Sequence, residues 1–223
     1  TWRDIPRAFW NATSDSVAAL YQREILEGIE GTGIKAGIIK VANDVGGVTR
    51  EGEVILRAAA IAQKSTNVPI STHTWAPDRV GEQQVRIFED EGTDLNRVYI
   101  GHSNDTTDIF YLESLLDKGV WIGLDRYPGG RSPGTPDWEV RTETAMKLIS
   151  DGYGKRIMLG HDWSVTLSID SKEGQVSRKQ SNPDGYLFIT RKVLPRLKKL
   201  GASQEQIDDI MINNPRRFFE GEK

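Results

Sequence analysis

Residues 97–103 read RVYIGHS, and residues 156–163 read RIMLGHDW. Each is a short apolar run with β-branched residues that ends in polar or charged ones. Three more runs share the form: residues 34–42 (IKAGIIKVA), 68–74 (VPISTHT) and 120–127 (VWIGLDRY). Near-continuous apolar runs of this length suit strands buried on both faces, as in a parallel sheet. Helical patterns lie between them. Residues 51–64 carry Val54, Leu56, Ala59 and Ile61 among charges, 78–91 carry Val80, Val85, Ile87 and Phe88, and 105–118 carry Ile109, Leu112, Leu115 and Leu116. Asp105 with Asp108 reads as an N-cap pair for the third helix, and Gly119 as its stop. Residues 138–151 and 185–200 are further helices, and Ser203-x-x-Gln206 reads as a capping box opening a last one.

Strand and helix therefore alternate, which is the pattern of an α/β fold with a parallel sheet. An open doubly wound sheet and a (β/α)8 barrel both fit. A dinucleotide-binding sheet needs a glycine-rich loop that opens a helix after the first strand. Residues 28–35 (GIEGTGIK) are glycine-rich but precede a strand, so that site is discounted. Two loops are long, residues 127–137 (YPGGRSPGTPD) and 163–184, and such loops commonly carry function or lack order.

The chain has 223 residues, with 29 Lys+Arg against 32 Asp+Glu, a formal charge of −3 and no cysteine. That length suits one domain, residues 1–223. A thiolate zinc site and a disulfide scaffold are excluded. A charge near zero, with no basic run, argues against a nucleic-acid partner. No apolar stretch approaches the ~20 residues of a membrane span, and no signal pattern opens the chain, so a cytoplasmic protein without membrane contact is expected. Thr1 is not an initiator methionine.

Polar residues gather at the strand ends: Lys40, His73, His102, Asp125 with Arg126, and His161 with Asp162. In parallel α/β proteins those ends share one face, which in barrels is the active site. Each residue alone has a plain reading. Such a lysine reaches solvent, such a histidine makes a structural hydrogen bond, and such an aspartate caps a helix. Five strands converging on one rim are harder to explain that way. Two histidines and an aspartate match the nitrogen and oxygen ligands of a catalytic divalent metal. An aspartate there also suits proton transfer beside an activated water.

The motifs GTGIKAGIIKVA, THT, IGHSND, GLDRY, GHDW, NPDGYLF and NNPRRFF, in this order, resemble the phosphotriesterase family of the amidohydrolase superfamily, nearest its lactonase branch. The resemblance covers nearly the whole chain. It implies a (β/α)8 barrel of TIM type, here its last five βα units, strands four to eight. It also implies two divalent metal ions, zinc first, with cobalt, iron or manganese as alternatives.

By the same resemblance Lys40 is carboxylated by carbon dioxide and bridges the metals. A lysine cation is a poor ligand, whereas its carbamate is an anionic oxygen donor. His73 and His102 would bind the more exposed metal. Asp162 would bind the buried one and take the proton from the bridging hydroxide. Arg126 stands where the lactonase branch carries arginine, and would act in catalysis and substrate binding by helping to shape the pocket. Tyr127, Trp163 and the long final loop would line the substrate pocket, and His161 would orient Asp162.

The implied function is hydrolysis of lactones, with organophosphate triester hydrolysis as a side activity or as the main one. Amide hydrolysis comes third. The small-molecule ester is the expected partner, and a homodimer the expected assembly of the longer protein.

One departure stands out. The family supplies two further ligands from a His-x-His motif on its first strand, and the three histidines here are already assigned. The expectation is a fragment of a longer protein that begins after the third strand. A truncation paired with another chain and a non-catalytic relic are the alternatives. Five of eight strands cannot close a barrel.

Overall fold

The computed structural model describes residues 9–129, 132–164 and 171–221. Its strands are β1 (Ile39–Ala42), β2 (Ile70–His73), β3 (Val98–Ile100), β4 (Trp121–Leu124) and β5 (Ile157–Leu159). All pair in parallel, in the order β1-β2-β3-β4-β5. A doubly wound sheet reverses its strand order at a switch point, whereas a barrel wall advances one strand at a time. The observed order is that of a barrel wall, in agreement with the five βα units read from the sequence. Among the described residues β1 and β5 each have a single neighbour, so the sheet is open.

Register places Lys40 beside Ser71, Ser71 beside Tyr99 and Tyr99 beside Trp121. Because side chains alternate along a strand, these four share one face. The opposite face carries Ile39, Val41, Ile70, Val98, Ile100, Ile122, Leu124 and Ile157, which pack into the main core. That core includes Leu56, Ala59, Val85, Phe88, Leu112, Leu115 and Leu148 from the connecting helices. All four strand-to-strand connections hold a helix where the apolar spacing puts one.

Helix α1 (Ser14–Leu26) precedes the sheet and was not anticipated. Thr13 caps it, and Val17 and Ala18 pack on Ala58. Helices α2 (Arg50–Thr66), α3 (Val80–Asp90) and α5 (Trp138–Ser150) match their expected ranges to within two residues at each end.

Helix α4 (Ile109–Asp117) begins four residues later than the 105–118 reading. Asp108 alone caps it, accepting from Tyr111 N–H at 3.1 Å. Asp105 instead closes a 3-10 turn, Ser103–Asp105, and is buried. The expected cap pair is thus one cap and one buried counterion. Gly119 ends the helix at φ +88°, a conformation costly for any residue with a Cβ.

The segment 163–184 is not one loop. It holds α6 (Lys172–Ser181), whose sequence KEGQVSRKQS offers no apolar stripe to reveal a helix. Residues 165–170 of this segment, and 130–131 of the other long loop, lie outside the described residues. The 185–200 reading also divides. A 3-10 turn (Gly185–Leu187) and a π turn (Ile189–Val193) lead into α7 (Leu194–Lys199). The capping box opens α8 (Gln204–Asp208), and a second π turn (Asp209–Asn213) precedes α9 (Asn214–Glu220). Each π turn is followed by a proline, Pro195 or Pro215, which has no N–H to continue the α ladder.

Helix α9 returns to the inner sheet face. Phe218 packs against Trp121 and Met158, with Tyr99 alongside. Buried Arg97 anchors this end by donating from Nη1 to Phe218 O and from Nη2 to Asn67 O at 2.7 Å. No described helix is long and apolar enough to cross a membrane.

Candidate active site

The carboxyl ends of the strands bring most of the expected residues to one rim. His73 ends β2, and its ring meets that of His102 edge-on, with centroids 4.4 Å apart. His73 Nε2 faces Asp44 Oδ1 at 3.6 Å, in the turn after β1. Burial, helped by the charges of His102 and Arg126, pushes the pKa of His73 down to about 4 against the pull of Asp44. The ring is therefore neutral at pH 7, the form that ligates a metal.

His102 follows β3 at φ +61°, and Asp162 follows β5 at φ +42°. Left-handed backbone at a non-glycine residue costs roughly 1–2 kcal/mol. Strain of this kind gathers at functional sites, where the surrounding structure enforces it. Both residues were named from the sequence as site candidates.

Asp125, noted in the sequence but given no role, holds His102. Its Oδ1 accepts from the His102 backbone N–H at 2.8 Å and lies 2.9 Å from His102 Nδ1. Its Oδ2 accepts from the Tyr99 hydroxyl at 2.8 Å. Burial works to raise the Asp125 pKa, but His102 and these hydrogen bonds outweigh it and bring the pKa below its ordinary value. An ionised carboxylate only accepts, so Nδ1 of His102 is its donor and Nε2 is the ring nitrogen not held by Asp125.

Three glycines make room for Asp125. A Cβ on Gly123 would meet Asp125 Oδ2 at 2.7 Å and overlap the Tyr99 hydroxyl. One on Gly160 would meet Asp125 Cβ at 2.8 Å, and one on Gly101 would overlap Thr72 O. The signal was present in IGHS, IGLD and LGHD, where a glycine stands one or two residues before each strand-end polar group. Gly123→Ala is expected to cost about 1–3 kcal/mol, the usual penalty of overpacking. A urea-denaturation midpoint within error of the unsubstituted chain would show that the space is not tight.

Arg126 links two carboxylates. Its Nε donates to Asp162 Oδ2 at 3.2 Å, and its Nη1 donates to Asp105 Oδ2. The Arg126 backbone N–H donates to Asn104 Oδ1 at 3.1 Å. Behind them Arg141, 1% exposed, donates from Nη2 to Asp105 Oδ1 at 2.8 Å. Asp105 and Arg141 belong to the site's support and carried no such role in the sequence reading.

Lys40 projects from β1 onto the inner face and donates to Thr72 O at 2.9 Å. Desolvation by the surrounding atoms lowers its pKa, opposed by Asp125 and Asp162 and assisted by Arg126. His161 accepts from Ile189 N–H at 3.3 Å, and its ring meets Tyr186 edge-on. Trp163 O accepts from the Tyr186 hydroxyl at 2.6 Å.

Tyr127 is not brought to the rim. It is 0% exposed and part of the main core, so it presents no surface to a substrate pocket. A separate hollow of about 590 Å³, lined by Val48, Glu53, Asp78, Arg79, Glu82 and Arg86 among others, contains none of the strand-end residues.

The donors fit a divalent metal in kind: two imidazoles, of which His73 is neutral, a carboxylate, and an amine with lowered pKa. They are not gathered into a complete sphere. Among the described residues no group of three or more His, Cys, Asp or Glu is placed to hold a metal ion.

Known proteins place this rim in context. The sequence pattern described as the phosphotriesterase family matches residues 6–219. Over 216 residues, 97% of this chain and 68% of the relative, it is 40% identical to a protein named aryldialkylphosphatase from Saccharolobus solfataricus. It is also 40% identical over 201 residues to a phosphotriesterase homology protein from Mycobacterium tuberculosis, covering 90% of this chain and 60% of that one. An N-acetyltaurine hydrolase from Dictyostelium discoideum is 34% identical over 205 residues, 88% of this chain and 53% of that one. The chain thus spans roughly half to two thirds of the length of these relatives.

Proposed function

The chain belongs to the phosphotriesterase family, and on that premise we propose that it carries part of a metal-dependent hydrolase that opens lactones, with organophosphate triesters as the second substrate class. The observation that carries this reading is the pairing of Arg126 with Asp162 at the rim that also holds His73 and His102. The lactone preference rests on Arg126 standing where the lactonase branch carries arginine. The relative named aryldialkylphosphatase supports the triester alternative.

In this reading His73, His102, Asp162 and carboxylated Lys40 hold divalent metal. Bound metal supplies Lewis-acid polarisation of the attacked oxygen and a lowered pKa for water. The chain's own groups do the rest. Asp125 fixes the His102 ring. Lowering the Lys40 pKa raises the fraction of free amine, whose lone pair attacks carbon dioxide; a C–N bond forms and the amine proton leaves. Asp162 accepts the proton of the attacking water, and Arg126 holds that carboxylate in place while Asp105 balances the arginine charge. Arg126 stays charged throughout the working pH range, so the arginine side of this pair does not titrate away.

The test pairs metal content per chain with turnover of a γ- or δ-lactone and of a dialkyl aryl phosphate. At least one metal per chain and faster lactone than triester turnover are expected. Less than one metal with no turnover would overturn the catalytic reading, and triester turnover exceeding lactone turnover would reverse the substrate order.

A further inference from the structure

We infer that Tyr99 is a positioning residue whose hydroxyl commits the Asp125 carboxylate to His102. The inference rests on the proposed metal-binding role of His102, but its geometry is independent of that role. Asp125 has two oxygens with separate duties. Oδ1 serves His102 twice, through Nδ1 and through the backbone N–H, and Oδ2 serves Tyr99. Without the hydroxyl, Oδ2 loses this donor and the carboxylate is free to turn about its Cβ–Cγ bond, which takes Oδ1 away from the ring. With it, both oxygens are occupied and the ring plane is fixed.

The placement is built from the sheet upward. Tyr99 lies on the inner face, paired in register with Trp121, and its ring stands 5.9 Å from that of Phe218 on α9. The C-terminal helix thus buttresses the ring from below, and Arg97 holds that helix by donating to Phe218 O. The hydroxyl reaches Asp125 by crossing the backbone of β4 at Gly123, where any Cβ would overlap it. An isolated tyrosine needing a hydrogen bond would not require a glycine on the neighbouring strand. A phenolic hydroxyl also suits the task, because desolvation beside Asp125 and Asp162 holds its pKa well above the ordinary value and it remains a donor.

The residue that holds a ligating histidine through its second nitrogen fixes tautomer and orientation, and loss of such a partner weakens metal binding by roughly 10–100-fold. Tyr99 acts one step further out, so the lower end of that range applies.

The test uses the metal-free chain, with Tyr99→Phe keeping the ring against Phe218. Proton NMR of the unsubstituted chain is expected to show a downfield His102 Nδ1–H signal protected from water, identified by its loss in Asp125→Asn. Tyr99→Phe is expected to broaden that signal or speed its exchange at least several-fold. Zinc titration of the same two proteins is expected to show about a tenfold weaker site in Tyr99→Phe. A lower melting temperature with an unchanged Nδ1–H signal would mean that Tyr99 only packs, and would overturn the inference. So would the absence of a protected signal in the unsubstituted chain. An altered signal in chains that bind no zinc would instead sustain the positioning role and sink the metal reading.

Discussion

Replacing Asp105 with asparagine is expected to destabilise the chain by about 3–5 kcal/mol, the cost of stripping one partner from a buried ion pair. Asp105 is 3% exposed and faces two guanidinium groups, Arg126 through Oδ2 and Arg141 through Oδ1. Asparagine preserves the shape but offers one acceptor oxygen, and its NH2 would point donor to donor at the other arginine. Arg141, 1% exposed, cannot escape to water; its remaining bonds go to Pro136 O and Asn104 O, which carry no full charge. Arg126 would keep Asp162, so the site's outer pair would survive while its support failed. Arg141→Met is expected to cost less, because Asp105 would still face Arg126. Urea denaturation of the three proteins measures this. A loss below about 1 kcal/mol for Asp105→Asn would place the pair among solvated ones.

How much of this could be read from residues alone depends on the distance over which the information travels. The strands were legible because an apolar run between turn residues is a local signal. Alternation with helices, by contrast, left a doubly wound sheet and a barrel both open, and only the family resemblance implied the strand order. The rim was legible for a related reason: parallel strands all end on one face, so Lys40, His73, His102 and Asp162 could be placed together without knowing any contact. What failed was the assignment of partners. Asp105 precedes a helix by a few residues, which is where a cap stands, and nothing local says that it turns inward to meet Arg141, 36 residues away. Tyr127 follows a strand end as Arg126 does, yet Arg126 faces the rim and Tyr127 the core. Asp125 was visible at its strand end, but its hold on His102 depends on three glycines from three strands. Helix α6 failed differently: its surface is polar almost all round, so periodicity had nothing to register.

Lys40→Ala is expected to abolish metal retention and to lower hydrolysis by roughly 10³-fold, since loss of a metal's several kcal/mol of transition-state stabilisation corresponds to factors of that size. The reasoning begins with charge. The rim's fixed groups include the cation Arg126, and an ammonium at Lys40 would add a second positive charge where a dication must bind. Carboxylation converts that side chain from +1 to −1, a change of two units in favour of the metal. The structure favours the conversion at its first step, because desolvation lowers the Lys40 pKa and so increases the free amine. Asp125 and Asp162 oppose this by stabilising the ammonium, so the balance shifts further once Asp162 is engaged by a metal instead. Metal loading should therefore depend on bicarbonate: dialysis against chelator, then reloading with zinc in bicarbonate-free buffer, should leave the unsubstituted chain underloaded until bicarbonate is added. The Lys40→Ala protein should stay underloaded in both buffers. Equal metal content in Lys40→Ala and the unsubstituted chain would remove the carbamate from the site, and the lysine would then revert to a strand-end group bonded to Thr72 O.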